Sequence, residues 1–419
     1  MTDQRDAAPG GVPFAVLADD LTSAAEAAGR LADSGRPASV VLDADAPPPP
    51  DTGAWPCLDL DTRALAPAEA AALHGRAARR LAGGGRLGVY KTMDSSLRGN
   101  WPAELAAVLR ACDRRVAVVA PAYPAYGRHT LDGRQYADGV PVHEGPAGRD
   151  PVRPVRDPSV AALLAAAGRA AHGLAPGGLP GARAAALGPA AAGPPRALVV
   201  DAASDGDLAE VADAVREVLD RAVVCGSPGL WEALIPAAPG HAAVPGEPGR
   251  ALVLVGSLHP VTRRQVARLR AHGVPVVETA RHGTAGAAGE GGGAARAVRR
   301  LLREHDTVAL VTPEPAGTGE PGGSDTGGVR HLRALADAGA ACARALPDLG
   351  LVLCGGDTAR AVALALGAPA VRVAGSIAPG IPIGTLAGPC ARRVITKAGG
   401  FGDPSSLVAA VAALTGRAP

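Results

Sequence analysis

A lysine, an aspartate, two serines and an arginine fall within eight residues of one another in the stretch YKTMDSSLRGN, positions 90–100. Here Arg98 offers the paired donors that suit a carboxylate, Lys91 offers a point charge, and Asp94 can bond hydroxyl groups. Together these residue types predict a binding site for a small anionic polyol. The alternative is an internally satisfied turn, in which Lys91 and Arg98 pair with Asp94 and nearby Glu104.

Two further carboxylates, Asp19 and Asp20, end the segment PFAVLADD, which its apolar run predicts to be a strand. Ligands bind outside the carboxyl ends of strands in an open parallel sheet, so these carboxylates can accept hydrogen bonds from substrate hydroxyls or act as a base. Asp20 can instead cap the helix that follows. The segment PAYPAYGRHTLDG, 121–133, also follows a strand and holds two of the four tyrosines, which predicts a wall or lid.

Glycine-rich loops follow strands in the second half of the chain. In CGGDTAR, 354–360, the amides of Gly355 and Gly356 and the start of a helix predict a phosphate cradle, with Thr358 bonding a phosphate oxygen. The alternative is a tight turn capped by Asp357 or Thr358. The loops VGSLHPVT and TKAGGFGD repeat the pattern, and three such loops favour a nucleotide. The chain has no G-x-x-x-x-G-K-[ST] motif, and its G-x-G-x-x-G match at 317–322 does not open a helix.

The elements that must position these residues alternate between short apolar runs and helical patterns, which predicts β-α units and parallel sheets. The strand at 13–20 leads to a helix that starts near Thr22 and stops at Ser34 and Gly35. The segment ASVVLDAD is the strand that returns from it. One helix is predicted near 158–172. The Pro- and Gly-rich stretch 237–250 predicts a linker, so the expected domains are 1–240 and 250–419.

The composition narrows the classes of function. The 419 residues suffice for two domains, and Lys plus Arg (42) nearly balance Asp plus Glu (40), without the basic and aromatic clusters of a nucleic-acid surface. Six scattered cysteines show no C-x-x-C spacing, which favours neither zinc nor a disulfide framework. Without a leader pattern or an apolar run of about 20 residues, a soluble cytoplasmic protein is expected.

Taken together, the motifs resemble those of the four-carbon acid sugar kinases, which act on threonate, erythronate and 3-oxo-tetronate. The resemblance covers nearly the whole chain and rests on ADDLTSAAEAAG (18–29), DTR (61–63), YKTMDSSLRGNWPAEL (90–105), PAYPAYGRHTLDGRQY (121–136), GRDPVRPVRDPSV (148–160), CGSPGLWEAL (225–234), VGSLHPVTRRQV (255–266), CGGDTARAVALALG (354–367) and GIPIGTLAGPCARRVITKAGGFGDP (380–404). It implies an α/β protein whose two domains each have a largely parallel sheet flanked by helices. The N-terminal domain would bind the acid sugar and the C-terminal domain ATP, with the active site in the cleft between them.

The resemblance also implies two sets of site residues. The substrate set is Asp19, Asp20, Arg63, Lys91, Thr92, Met93, Asp94 and Arg98. The nucleotide set is Ser257, Gly355, Gly356, Asp357, Thr358, Gly399, Gly400 and Gly402. For phosphoryl transfer from ATP with Mg²⁺, Lys91 and Arg98 would bind the carboxylate or neutralise charge, and Asp94 or Asp357 would accept the proton of the hydroxyl, expected to be the terminal one. No metal ligand is assigned, closure of the domains around the ligands is expected, and a homo-oligomer is compatible with the sequence.

Two positions depart from the family pattern. Ser23 stands where the family usually has glycine, and Leu258 and His259 stand where small polar residues are usual. Ser23 leaves open a kinase of another small hydroxy acid or of a hydroxy amino acid. A non-catalytic nucleotide or metabolite sensor is a further alternative, although a sensor need not retain both sites. A dehydrogenase ranks last, because no dinucleotide motif lies at a strand-to-helix turn.

Overall fold

The computed structural model describes residues 14–43, 54–82, 88–150, 153–174, 195–238, 249–279, 290–313 and 326–417. Within these ranges the strands are β1 (Phe14–Ala18), β2 (Ala38–Val41), β3 (Trp55–Asp59), β4 (Gly88–Thr92), β5 (Val116–Ala120), β6 (Arg128–Leu131), β7 (Arg134–Ala137), β8 (Val140–Pro141), β9 (Ala170–Leu174), β10 (Arg196–Val200), β11 (Ala222–Gly226), β12 (Arg250–Val255), β13 (Val276–Glu278), β14 (Thr307–Val311), β15 (Leu349–Cys354), β16 (Ala370–Ala378), β17 (Ile381–Leu386) and β18 (Arg393–Lys397). The helices are α1 (Leu21–Asp33), α2 (Pro67–Ala82), α3 (Trp101–Ala111), α4 (Val160–Ala166), α5 (Asp205–Arg216), α6 (Pro228–Leu234), α7 (Pro260–Ala271), α8 (Glu290–Leu301), α9 (Thr326–Ala345), α10 (Gly356–Ala365) and α11 (Ser406–Thr415).

The chain divides into two compact units. The first contains residues 1–30 and 53–238, and the second contains 31–52 and 239–419. The second unit therefore includes a segment from the N-terminal part of the chain. Each unit has strands joined through helices, which confirms the predicted α/β class with largely parallel sheets.

The sheet of the first unit has the strand order β3-β1-β4-β11-β5-β10-β9, and all of its pairs are parallel. Its strands β1, β5 and β11 are buried at every residue, as expected for parallel strands covered on both faces. From β1 the chain returns to β3 on one side, whereas from β4 it passes through α3 to β5 on the other. The neighbours β1 and β4 thus form a switch point, where ligands bind in such sheets.

Strand β2 was expected to return to β1 in the first sheet, and this prediction was wrong. It pairs antiparallel with β16 in the second unit, with Ala38 opposite Val373 and Val41 opposite Ala370. The strand beside β1 is β3, which sequence analysis missed together with helix α2. Pairing between strands is non-local, so the apolar run of β2 predicts a strand without specifying its partner.

The second unit has the strand order β13-β14-β12-β15-β18-β17-β16-β2. The first five of these strands are parallel, and β17 and β16 continue the sheet in antiparallel fashion. Apolar residues of β12 and β15 pack with α7 and α11 in its core. Strands β12, β15 and β18 therefore end side by side, which brings together the loops that follow them.

Two predicted helices are present in the structure, one of them shorter than expected. The pattern after Asn100 predicts a helix with Pro102 in its first turn and Leu105, Val108, Leu109 and Cys112 facing inward. Helix α3 buries the first three, whereas Cys112 follows its last residue and is only half-buried. The helix predicted at 158–172 ends at Ala166, because Gly168 takes a left-handed conformation (φ 72°) and β9 follows. Most of the expected linker (239–248), most of the two Gly-rich tracts at 283–293 and 316–328, and the G-x-G-x-x-G match lie outside the described residues. Among described residues, no helix has the length and apolarity to span a bilayer.

Candidate active site

The predicted acceptor residues lie at the carboxyl ends of β1 and β4 in the first unit. Leu17 and Lys91 are opposite each other in this parallel pair, so Asp19 and the 93–100 segment leave the sheet side by side. A Cβ atom on Gly99 would lie only 2.9 Å from Asp19 Oδ2, so the two loops are in close contact. The structure therefore brings the substrate set of the first unit together.

Arg63 binds both aspartates that follow β1. Its Nε donates to Asp19 Oδ2 at 2.8 Å, its Nη2 donates to Asp19 Oδ1 at 2.9 Å, and its Nη1 donates to Asp20. Burial alone would raise the pKa of Asp19, but the charges of Arg63 and Lys91 lower it below its ordinary value. Asp20 also accepts from the Ser23 amide at 2.8 Å, so its predicted role as a helix cap is present alongside the ion pair.

The 93–100 segment is held by a second bidentate pair. Arg98 Nη2 donates to Asp94 Oδ2 at 2.6 Å and its Nε donates to Asp94 Oδ1 at 3.2 Å, while Arg98 Nη1 lies 3.6 Å from Asp150. Burial alone would raise the pKa of Asp94, but Arg98 lowers it well below its ordinary value. Leu97 is held at φ 66°, a costly conformation for a residue with a Cβ. Side chains and backbone together fix the shape of this loop.

Lys91 is fully buried and ion-paired. Its Nζ lies 3.0 Å from Glu104 Oε2 on α3 and donates to the Thr92 carbonyl. Burial alone would lower the pKa of Lys91, but Glu104 and Asp19 raise it above its ordinary value, so the ammonium group stays charged. Thr62 donates to Glu104 at 2.6 Å. The pairs Lys91–Glu104 and Arg98–Asp94 are those of the internally satisfied alternative.

Thr92 and Met93 line a recess of about 260 Å³, a volume that includes the solvent space at its mouth. The other lining residues come from α1, β4 and the start and body of α6: Ser23, Glu26, Ala27, Tyr90, Ser227, Pro228 and Trp231. Sequence analysis missed Glu26 as a site candidate. The only signal was a carboxylate one turn beyond Ser23, between two pairs of alanines on α1.

The three-stranded antiparallel sheet β6-β7-β8 supports the 93–100 segment. Gln135 on β7 is buried and donates to the carbonyl oxygens of Ser95 (2.8 Å) and Pro121 (3.3 Å). Of the two predicted wall tyrosines, Tyr123 is buried and donates to Glu232 at 2.8 Å, whereas Tyr126 is exposed. Sequence analysis missed Gln135 as a support of the site, because its role depends on contacts with distant segments.

Three loops of the second unit converge after β12, β15 and β18. The Gly355 amide donates to the Lys397 carbonyl at 2.8 Å, and Thr262 Oγ1 donates to the Gly399 carbonyl at 2.6 Å. A Cβ atom on Gly399 would collide with Ser257 Oγ. The predicted nucleotide residues Ser257, Gly355, Gly399 and Gly400 lie in these loops, and Gly356, Asp357 and Thr358 form the first turn of α10. Gly402 instead adjoins Ser406 at the start of α11.

Gly355 precedes α10 and has φ 109° and ψ 138°, a conformation open essentially to glycine alone. The amides of the first helical turn are unpaired by the helix, and Asp357 is exposed in that turn. Lys397 is buried; burial lowers its pKa, and its Nζ donates to the Ala398 and Phe401 carbonyls. The backbone amides at the start of α10 are donors of the kind that binds phosphate groups.

Comparisons with known proteins match the two halves of the chain to two family models. Residues 14–234 match the family model of a sugar-binding N-terminal domain, and residues 252–407 match that of a nucleotide-binding C-terminal domain. A D-threonate kinase of Bordetella bronchiseptica is 34% identical over 97% of this chain and 99% of its own. A D-threonate kinase of Cupriavidus necator is 38% identical over 96% of this chain and 99% of its own.

A solved structure supports the fold alone. A crystal structure of a Haemophilus influenzae protein superposes with a TM-score of 0.72 at 22% identity, covering 96% of this chain and 99% of that one.

Proposed function

This chain belongs to the four-carbon acid sugar kinase family, and on that premise we propose that it transfers the terminal phosphoryl group of ATP to the terminal hydroxyl of a four-carbon sugar acid. Its relatives include kinases of D-threonate, D-erythronate and 3-oxo-tetronate. The observation that carries the proposal is the convergence of Asp19, Arg63, Asp94 and Arg98 at the switch point of the first sheet.

The acceptor site has the donors that a sugar acid needs. Arg98 and Arg63 are already oriented by carboxylates, and Arg98 remains partly exposed, so its guanidinium can also meet the carboxylate of an acid. Lys91 is enclosed and contributes positive charge from behind the loop rather than a direct contact. This assigns acid recognition mainly to the two arginines.

The lowered pKa of Asp94 is compatible with phosphoryl transfer. In a loose transition state the hydroxyl keeps its proton until late, so an aspartate that accepts a hydrogen bond can orient the nucleophile without being a strong base. Asp94 is positioned for this role in the first unit and Asp357 in the second, and both remain candidates. Catalysis then depends on positioning and charge neutralisation.

ATP would be held by the glycine loops of the second unit. The backbone around Gly355 and the Thr358 hydroxyl suit its phosphates. No group of three or more potential metal-binding side chains occurs among the described residues. This fits Mg²⁺ that arrives on the nucleotide phosphates and needs one or two carboxylates, for which exposed Asp357 is suited. Mg²⁺ would neutralise charge on the transferred group.

The test is ATP consumption by the purified protein with D- and L-threonate, D- and L-erythronate, 3-oxo-tetronate and hydroxy amino acids, with the phosphorylated carbon located by NMR. We expect turnover of at least one four-carbon acid, with phosphate on its terminal oxygen. Bound ATP without turnover of any acceptor would sink the kinase proposal and favour a sensor. An Arg98→Ala variant should lose most of kcat/KM while keeping its ATP affinity.

A further inference from the structure

The recess beside the acceptor residues contains a carboxyl group that the proposed mechanism does not use. Glu26 on α1 lines it together with Thr92 and Met93, which end β4 and belong to the predicted substrate set. The recess adjoins the loop that carries Asp94, because Met93 lines it. A group of a small acceptor bound at that loop can enter it.

One oxygen of Glu26 has no hydrogen-bond partner among the described residues. Oε1 of Glu26 is enclosed and unpaired. Its polar neighbours are satisfied internally, since Tyr90 donates to the Ser227 carbonyl at 2.7 Å and the Ser227 hydroxyl donates to the Ala122 carbonyl. Buried polar atoms are usually paired, and Glu26 lines the recess, so a group that enters the recess can supply the missing partner.

The charges around Glu26 favour its protonated form. Burial raises the pKa of Glu26 to about 8, and the nearby carboxylates of Glu232 on α6 and Asp20 add to the shift. The tyrosines that interact with it electrostatically, at positions 90, 123 and 126, are neutral at that pH. Arg30, whose charge acts on Glu232, donates to the carbonyls of Glu232 and Ile235. A neutral carboxyl group both donates and accepts, and it does not repel an anionic acceptor.

We propose that Glu26 is a specificity-determining residue of the acceptor site and that its carboxyl group exchanges hydrogen bonds with a secondary hydroxyl of the sugar acid, an inference that rests on the proposed function. A hydroxyl group matches a protonated carboxyl in both directions of hydrogen bonding. Ser23, one turn earlier on α1, lines the same recess and narrows the space beside that hydroxyl.

The test compares the best four-carbon acid with 2,4-dihydroxybutanoate and 3,4-dihydroxybutanoate, which lack one secondary hydroxyl each but keep the terminal one. Wild-type kcat/KM should fall at least about tenfold for one analogue, because the Glu26 carboxyl then loses its partner. In Glu26→Leu, kcat/KM for the parent acid should fall by a similar factor. This variant should then have about the same kcat/KM for that analogue as for the parent acid. Glu26→Gln, which keeps the shape and can still hydrogen-bond, should retain part of the discrimination. Glu210→Leu, at an exposed carboxylate on α5, is the matched control and should behave as wild type.

A second measurement uses pH. Deprotonation of Glu26 adds a negative charge to the recess, so KM for the acid should rise as pH passes about 8 in the wild type and not in Glu26→Gln. The inference would be overturned if Glu26→Leu or Glu26→Gln distinguished the parent acid from the analogue as strongly as wild type does. That result would leave the kinase function intact. A preference for the 2-amino over the 2-hydroxy acid that is lost in Glu26→Gln would also overturn the inference, in favour of an ammonium site. Absence of turnover by wild type with every acid would overturn both proposals.

Discussion

The Arg63 guanidinium and the Asp19 carboxylate are joined by two parallel hydrogen bonds, Nε to Oδ2 at 2.8 Å and Nη2 to Oδ1 at 2.9 Å. The two residues are 44 positions apart in sequence, and Asp19 is almost fully buried. Because Nη1 of Arg63 donates to Asp20, one side chain orients both carboxylates at the end of β1. Arg63 thereby connects the β3-α2 segment to the acceptor site.

Arg63→Lys should reduce kcat/KM by about 10- to 100-fold. Lysine keeps the charge, but its ammonium group lacks the planar set of donors with which the guanidinium binds both carboxylates. Steady-state kinetics with the preferred acid measure the effect. Arg76→Lys, at an exposed position on α2, provides the control. Unchanged kinetics in Arg63→Lys would show that charge alone suffices at this position.

Glu104→Ala should lower the free energy of unfolding by about 3–5 kcal/mol, because it leaves the buried ammonium of Lys91 without its carboxylate partner. The double variant Lys91→Met with Glu104→Leu should recover most of that loss, as measured by urea unfolding. Its activity separates two roles of Lys91. A stable double variant without turnover would show that the buried charge serves the reaction, whereas full activity would show that the pair is structural.

Acid should destabilise the protein through Asp94. Its pKa in the folded state is lowered from 3.8, so its ionisation contributes stability that is present above pH 3.8 and is lost as pH falls toward the folded-state value. The urea concentration at the unfolding midpoint of wild type should therefore decrease when the pH is lowered below about 4. The Asp94→Asn variant should be less stable than wild type at pH 7, and its midpoint should decrease less on acidification. Asp213→Asn on α5 removes an exposed carboxylate for comparison. Parallel pH profiles for wild type and Asp94→Asn would contradict the assignment.

Gly355→Ala should weaken ATP binding and cost about 1–3 kcal/mol of stability, because alanine cannot hold φ 109° without strain. Isothermal titration with ATP and Mg²⁺ reports the affinity. Gly367→Ala, at φ 70° just after α10, introduces backbone strain away from the converging loops. It should lower Tm while leaving ATP affinity unchanged. Equal ATP affinity in both variants would refute the phosphate cradle.

Local sequence patterns predicted much of this architecture. The apolar runs of β1, β4, β5 and β15 and the inward face of α3 follow from periodicity, and polar residues at the ends of parallel strands pointed to the site. Strand β2 was assigned to the wrong sheet, because nothing in its four residues distinguishes a parallel neighbour of β1 from an antiparallel neighbour of β16. The choice depends on contacts more than 300 residues away in the chain.

The sequence by itself determined the chemistry that is available: paired carboxylates and cations after the first strands, and glycine loops with a threonine after the later ones. Only the tertiary structure decided which charges are committed to one another and which group is left unpaired. Lys91 is enclosed with Glu104, Asp94 is held by Arg98, and Glu26 has a buried oxygen without a partner in the part of the chain that the structure describes. Burial and pairing set the protonation and reach of these side chains, and both depend on segments that meet only when the chain is folded.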